Sequence, residues 1–342
     1  MGEFDLIKRF FKRGAVPGVP QARGDAGADS EGAAGGVILG IGDDCALLRP
    51  PAPGQALAIS TDMLIEGRHF FAGTVPAAIG HKSLAVNLSD LAAMGAEPLG
   101  FTLAIALPAV DEDWLGAFCG GMFRLADRYD CPLVGGDTTR GPLAISITVF
   151  GQVPEADALR RDRAQPGDEI WVSGPLGGAS LAVTMRRQAG DAESSSNAPQ
   201  GAEGAARRLD WPQPRLELGR GLRGLANAAI DLSDGLAGDL RHVLTSSSGA
   251  EELGAELSAA DLPIDPCLAH LPMDEALRHV LTGGDDYELL FTAPPRHHQA
   301  ITALCPGAAM IGQVRSGRGI LLTGRDGTAA PLEGTGFDHF RG

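Results

Sequence analysis

No part of this 342-residue chain approaches the roughly 18 consecutive apolar residues that a membrane-spanning helix needs. The opening MGEFDLIKRF has no secretory apolar core, and Leu6 stands where a myristoylation signal requires Ser or Thr. The expectation is a soluble, unanchored, cytoplasmic protein. Basic residues are scarce: 28 Lys and Arg against 43 Asp and Glu give a formal net charge of -15, which repels nucleic acid and anionic membrane. An anionic ligand such as a nucleotide would need divalent cations to reconcile it with that charge. Cysteine is sparse and scattered. Five residues (Cys45, Cys119, Cys131, Cys267 and Cys305), odd in number and without a CxxC pair, indicate neither a disulfide framework nor a zinc site and suit a reducing cytosol. The usual phosphate signatures are missing as well: no GxxxxGK[ST], no kinase HRD or DFG, no GxGxxG after a strand. DLSDGLAGDLRH (231–242) lacks the closing acid of an EF-hand loop. Aromatic residues reach only 5%, whereas the 44% apolar and 21% charged shares are those of an ordinary globular protein.

The length implies two domains. After a short helical opening, 14–36 is rich in Gly, Ala and Pro without an apolar period, which predicts a mobile segment. ALAIS (56–60) and LAISITVFGQV (143–153) read as buried strands, and 76–94 and 111–129 carry helical spacing. A polar, proline-containing turn followed by a strand at 169–173 opens the second half. The predicted division is therefore 1–152 and 153–342, both α/β (α+β overall), with the Ser/Ala/Gly/Gln-rich insert 188–208 as a flexible surface loop. LVGGDTT (133–139) and LTGGDDYE (281–288) hint at related halves.

What the chain does have is aspartate beside glycine or small hydroxyls, in GIGDDCA (40–46), STDM (60–63), NLSDLAAMG (87–95), VGGDTTRG (134–141), IDLSDGLAGD (230–239) and GGDDYE (283–288). A single Gly-Asp pair is usually a turn, so only the constellation carries weight. In 76–94, Ser83, Asn87 and Asp90 follow i, i+4, i+7 and form a polar stripe beside Leu84, Leu88 and Leu91. A carboxylate on so apolar a helix faces a polar cavity and needs a cation. Asp62 and Asp137 follow apolar runs, at the expected carboxyl ends of strands, where α/β proteins place ligands. Dispersed single aspartates suit magnesium, which takes one or two carboxylates and completes its octahedron with water and phosphate oxygens. Asp234 reads equally as a helix N-terminal residue, and His69 reads first as a structural histidine.

In this order, GIGDDCALL, LAISTDMLIEGRHF, KSLAVNLSDLAAMGAEP, LVGGDTTRGPL, IDLSDGL and GGDDYELLF resemble the thiamine-monophosphate kinase family, of the PurM-like superfamily that includes aminoimidazole-ribonucleotide synthetase. The resemblance spans nearly the whole chain outside 14–36, 188–208 and 249–260. It implies an N-terminal α/β domain that pairs with its twin in a homodimer, a C-terminal α/β domain, and ATP between the two. It also implies several Mg2+ ions at Asp44, Ser60, Thr61, Asp62, Asp90, Asp137, Asp231 and Asp234, and ATP contacts from Gly136, Asp137, Arg161 and Ser233. His69, Asp285 and Phe337 match positions that contact thiamine monophosphate. At Asp285 the family pattern often has glutamate, and the shorter side chain suggests a water-mediated contact.

The implied reaction needs little covalent help from the protein. A phosphomonoester has a second pKa near 6, so the attacking oxygen is already largely deprotonated at neutral pH and no general base is required. Positioning and charge neutralisation dominate. Asp137, Asp234 and Arg161 are the residues expected to carry them, with Lys82 and Arg140 either supplementing the positive charge or making surface or loop salt bridges. Phe337 reads either as a stacking partner for the thiamine ring or as a core residue. The rivals are phosphorylation of an amide oxygen by another member of the superfamily, selenophosphate synthesis, which lacks its reactive N-terminal cysteine here, and a non-catalytic metal-binding scaffold.

Overall fold

The computed structural model describes residues 3–12, 36–42, 44–189, 200–249 and 251–332. The predicted mobile segment, all but its last residue, and Phe337 lie outside them. The chain divides into two compact units, Met1–Leu91 with Ala96–Ala156 and Ala92–Gly95 with Asp157–Gly342.

The first unit contains α1 (Glu3–Leu6), β1 (Val37–Leu39), β2 (Leu47–Leu48), β3 (Gln55–Ile65), α2 (Pro76–Ala93), β4 (Glu97–Leu107), α3 (Glu112–Arg128), β5 (Leu133–Arg140) and β6 (Ala144–Pro154). Its main sheet has the order β3-β6-β4-β5, antiparallel except for the β4/β5 pair. Strand alternation divides the sheet into two faces. Phe101, Leu103, Ile105, Ile145, Ile147 and Val149 are buried on one. On the other, β3 exposes Leu57, Ile59, Met63 and Ile65.

Helix α2 is buried along almost its full length, as its nearly uniform apolarity requires. Asp111 caps α3 by accepting the amide protons of Asp113 and Trp114, each at 3.0 Å. The two helices cross closely because both present glycine: a Cβ on Gly80 would lie 2.0 Å from the Phe118 carbonyl oxygen, and one on Gly121 only 1.8 Å from that of Ala77.

The second unit contains β7 (Glu169–Val172), α4 (Gly178–Ala189), α5 (Ala202–Asp210), α6 (Leu216–Gly221), β8 (Ala228–Asp231), α7 (Leu236–Ser247), β9 (Leu253–Ser258), α8 (Met273–Thr282), β10 (Leu289–Ala293), α9 (His298–Leu304), β11 (Ala309–Ser316), β12 (Gly319–Thr323) and β13 (Ala329–Pro331). Seven strands pair in the order β13-β12-β9-β11-β7-β10-β8. Ile170, Val172, Ile230, Leu240, Val243, Leu290 and Ile311 are among the buried residues of its core.

Two expectations are corrected. Part of the insert 188–208 is not a loop, because α4 runs to Ala189 and 202–208 lie in α5, whose Ala205 and Leu209 are buried and whose Arg208 bonds Asp265 at 2.6 Å. A helix-period pair of apolar residues thus holds a segment whose composition reads as polar and loose. The suggested likeness of LVGGDTT and LTGGDDYE does not extend to structure: the first is strand β5, whereas the second closes α8 and turns into β10.

The helix crossing gives a test with opposite signs at adjacent positions. Gly120 meets nothing closer than 3.7 Å, so Gly120→Ala should stabilise the protein by about 0.5–1 kcal/mol through helix propensity. Gly121→Ala should destabilise it by about 1–3 kcal/mol in urea denaturation, because the added methyl overlaps main chain.

Candidate active site

In the first unit, the polar stripe of α2 is the seam between that helix and β3. Ser83 donates to the Ile79 carbonyl (2.7 Å) and Asn87 to that of Ser83 (3.0 Å), so the stripe is tied first to its own helix. Asn87 then accepts the amide proton of Asp62 (3.1 Å), and Asp90 accepts the Ser60 hydroxyl proton (2.5 Å). Ser60 and Asp62 stand two apart on β3 and therefore share a face, the one turned to α2.

The result is a pair of carboxylates in a sheltered place. Burial, then the charge of Asp90, then a hydrogen bond between the two carboxyl groups push the Asp62 pKa up to about 7. Two acids this close do not both ionise comfortably near neutral pH without a cation. The donors are oxygens only, which suits magnesium and not a soft metal. Among the described residues no group of three or more His, Cys, Asp or Glu side chains gathers as a complete ligand set.

The structure divides the other first-unit candidates. The Thr61 side chain projects to the opposite face of β3 from Ser60 and Asp62, where its hydroxyl meets that of Thr148 at 2.8 Å. Asp137 is exposed and is neighboured in the sheet by Ala104, then Ser146, then Met63, on that same far face. Neither Asp62 nor Asp137 ends a strand: β3 continues to Ile65 and β5 to Arg140, because both stay in register with their neighbours beyond the apolar run. Gly136 has φ +150°, and a Cβ there would lie 1.8 Å from the Leu103 carbonyl oxygen, so close passage of β5 over β4 is one reason for glycine. Asp44 occupies an exposed bend between β1 and β2. His69 closes the turn after β3, its Nδ1 accepting the Ile65 amide proton at 3.0 Å. Lys82 is buried, contrary to the surface alternative, and donates to the His69 carbonyl at 3.4 Å. Arg140 is exposed at the end of β5.

In the second unit, Asp231 ends β8 and is buried, and the chain turns through exposed Ser233 and half-buried Asp234 into α7. Asp239, one turn into that helix, accepts the amide protons of Asp234 (3.2 Å) and Gly235 (3.1 Å). Burial and then the charge of Asp234 push the Asp239 pKa up to about 7. The turn carrying Asp285 bonds to this loop along the main chain. The Asp285 amide donates to the Ser233 carbonyl (2.9 Å), the Tyr287 amide to that of Leu232 (2.8 Å), and the Leu232 amide to that of Glu288 (2.8 Å). Arg161 is exposed, and its carbonyl accepts the Ser247 hydroxyl proton at 3.1 Å.

Several supporting residues escaped the sequence reading. Glu288 is buried, accepts the Ser173 hydroxyl proton and is gripped by Arg215 through two hydrogen bonds of 2.7 and 2.5 Å. Arg215 lies in no acidic motif, so nothing local marked it. The Asp286 carboxylate accepts the Gly177 amide proton at 2.9 and 3.1 Å, while burial holds its pKa well above the usual range. Asp239 had one local signal, an acid in the first turn of a helix.

The family model described as AIR synthase related protein, N-terminal domain, matches 42–153. A thiamine-monophosphate kinase of Escherichia coli (strain K12) is 44% identical over 347 aligned residues, covering 99% of this chain and 98% of the relative. The crystal structure of thiamine-monophosphate kinase from Stenotrophomonas maltophilia K279a matches with TM-score 0.78 and 46% identity, over 86% of this chain and 92% of that one. AaThiL complexed with AMPPCP and TMP matches with TM-score 0.72 and 27% identity, over 85% and 89%. With such identity sustained from end to end and a common PurM-like architecture, the chain belongs to the thiamine-monophosphate kinase family.

Proposed function

We infer that this protein transfers the γ-phosphoryl group of ATP to thiamine monophosphate, giving thiamine diphosphate and ADP. The observation that carries the reading is the 44% identity to a thiamine-monophosphate kinase across 99% of the chain. A homologue bound to AMPPCP and TMP supports the pairing of substrates.

The protein's part is to place two anions in line. Ser60, Asp62 and Asp90 would hold one Mg2+, with Asn87 fixing the Asp62 main chain and Ser60 the Asp90 carboxylate. Asp137 on the far sheet face, and Asp231 and Asp234 in the second unit, would serve further ions, as Asp44 and Thr61 would in the wider family pattern. When bound, magnesium neutralises phosphate charge and polarises the phosphoryl oxygens. Gly136, Asp137, Arg161 and Ser233 are assigned to ATP, and His69, Asp285 and Phe337 to thiamine monophosphate. Accepting the Ile65 amide proton at Nδ1 orients the His69 ring in the turn. No base is assigned, since the acceptor phosphate is already deprotonated at neutral pH. Residues 1–152 are assigned to magnesium and ATP binding and to dimerisation, and 153–342 are assigned to the second domain.

The homodimer reading is supported by a row of large apolar side chains on the edge strand β3: Leu57, Ile59, Met63 and Ile65 are 46%, 58%, 55% and 40% exposed. No helix among the described residues is long and apolar enough to cross a membrane, and a cytoplasmic location is proposed with the biosynthetic role.

Incubating the protein with ATP, Mg2+ and thiamine monophosphate should yield ADP and thiamine diphosphate in equal amounts; no product at any magnesium concentration would remove the kinase reading. Asp90→Asn should lower kcat/KM by about 100-fold or more. Asp62→Asn should do the same, yet with magnesium removed it should melt about 3 °C above wild type at pH 8. The sign follows from the raised pKa: the folded state keeps the Asp62 proton to about pH 7, so wild-type stability declines between about pH 4 and 7 and the Asn variant escapes that loss. The gain should vanish by pH 4. In analytical ultracentrifugation wild type should sediment as a dimer and the double variant Ile59→Asp, Met63→Asp as a monomer; a monomeric wild type would refute the dimer.

A further inference from the structure

The turn from Gly283 to Glu288 holds a conformation that its residues do not favour. Asp285 and Tyr287 both have left-handed backbones, with φ +68° and +50°, and neither is glycine. Such strain persists only where the surroundings enforce it, and it concentrates at functional positions. Here the enforcing contacts can be named. From one side, the main chain of 232–233 takes the amide protons of Asp285 and Tyr287. Gly284 comes so near that a Cβ would lie 2.3 Å from the Ser233 carbonyl oxygen. From the other side, the Asp286 carboxylate accepts the Gly177 amide proton, and Gly177 is itself fixed by a left-handed φ of +89° and close passage against His279 and Val280. Glu288, locked by Arg215 and Ser173, anchors the point where the turn becomes β10. Above this frame the Tyr287 hydroxyl donates to Asp285 Oδ1 at 3.1 Å.

We propose that Asp286 and Tyr287 are positioning residues for the substrate-contacting carboxylate of Asp285. Asp286 fixes the main chain of the left-handed turn by holding Gly177, and Tyr287 fixes the orientation of the carboxylate. The proposal rests on the assignment of Asp285 to thiamine monophosphate. It also accounts for an aspartate, with its short reach, serving where the family pattern often has glutamate: a side chain with fewer torsions needs its backbone and its carboxylate set from outside.

Steady-state kinetics on the full-length protein, with ATP and thiamine monophosphate varied separately, test it. Asp286→Ala should raise KM for thiamine monophosphate about tenfold and leave KM for ATP within about twofold. Asp286→Asn, which keeps one oxygen to accept the Gly177 amide proton, should recover most of that loss. Tyr287→Phe should raise KM for thiamine monophosphate about fivefold, the loss of one hydrogen bond, with an unchanged melting temperature. If Asp286→Ala fails to fold, the Tyr287→Phe result decides, and an unmoved KM for thiamine monophosphate overturns the proposal. Equal increases in both KM values, or no rescue by Asn, likewise overturn it, since a merely structural role predicts them. Wild-type protein that does not turn over thiamine monophosphate overturns the kinase reading and this role with it, whereas normal wild-type turnover with an unaffected Asp286→Ala overturns this role alone.

Discussion

Two carboxylates held together against their own repulsion are the constraint around which the first unit is organised. Asp62 and Asp90 come from elements 28 positions apart in the chain and meet because Asn87 and Ser60 bond across the seam between α2 and β3. The three residues of the polar stripe are satisfied in turn, Ser83 and Asn87 by their own helix and Asp90 by the strand, so the stripe can be buried without leaving these groups orphaned. What remains uncompensated is negative charge. Holding two acids this close costs stability, a trade that functional sites commonly make.

The second unit solves a related problem with main chain in place of side chains. The β8 to α7 loop and the turn before β10 exchange three backbone hydrogen bonds, so residues assigned to metal, nucleotide and acceptor substrate belong to one hydrogen-bonded body. Beneath it, Glu288 is buried with a bidentate arginine and a serine hydroxyl, so its own charge is paired. Asp239 does for the loop what Asp286 does for the turn: in both, a carboxylate takes up amide protons that the bent chain presents. Rigidity of this kind suits phosphoryl transfer, where placement of the reacting groups is most of the catalysis.

The amount legible beforehand varied with the range of the interaction. The helices at 76–94 and 111–129 and the strand at 143–153 lie within one or two residues of α2, α3 and β6, because apolar period is a local property. The α5 helix was missed, since a short amphipathic segment in Ser- and Gly-rich surroundings has too few apolar positions to show a period. Strand ends were misplaced for Asp62 and Asp137, because a polar residue interrupts the apolar run while backbone pairing continues to the end of the partner strand. Arg215 and Gly177 could not have been chosen at all: each acts on a residue more than seventy positions away.

By itself the sequence determined the acidic balance, the recurrence of aspartate beside glycine, the stripe Ser83, Asn87, Asp90 and the ordered motifs that mark the family, all of which are properties of composition or of short windows. Only the tertiary structure decided that Asp62 faces α2 while Thr61 and Asp137 face away, and that Asp285 stands on a left-handed turn held by Asp286 and Gly177. The physical reason is that a helix writes its periodicity into consecutive residues, whereas strand register and buried hydrogen-bond partners are settled by segments that meet only after the chain has folded.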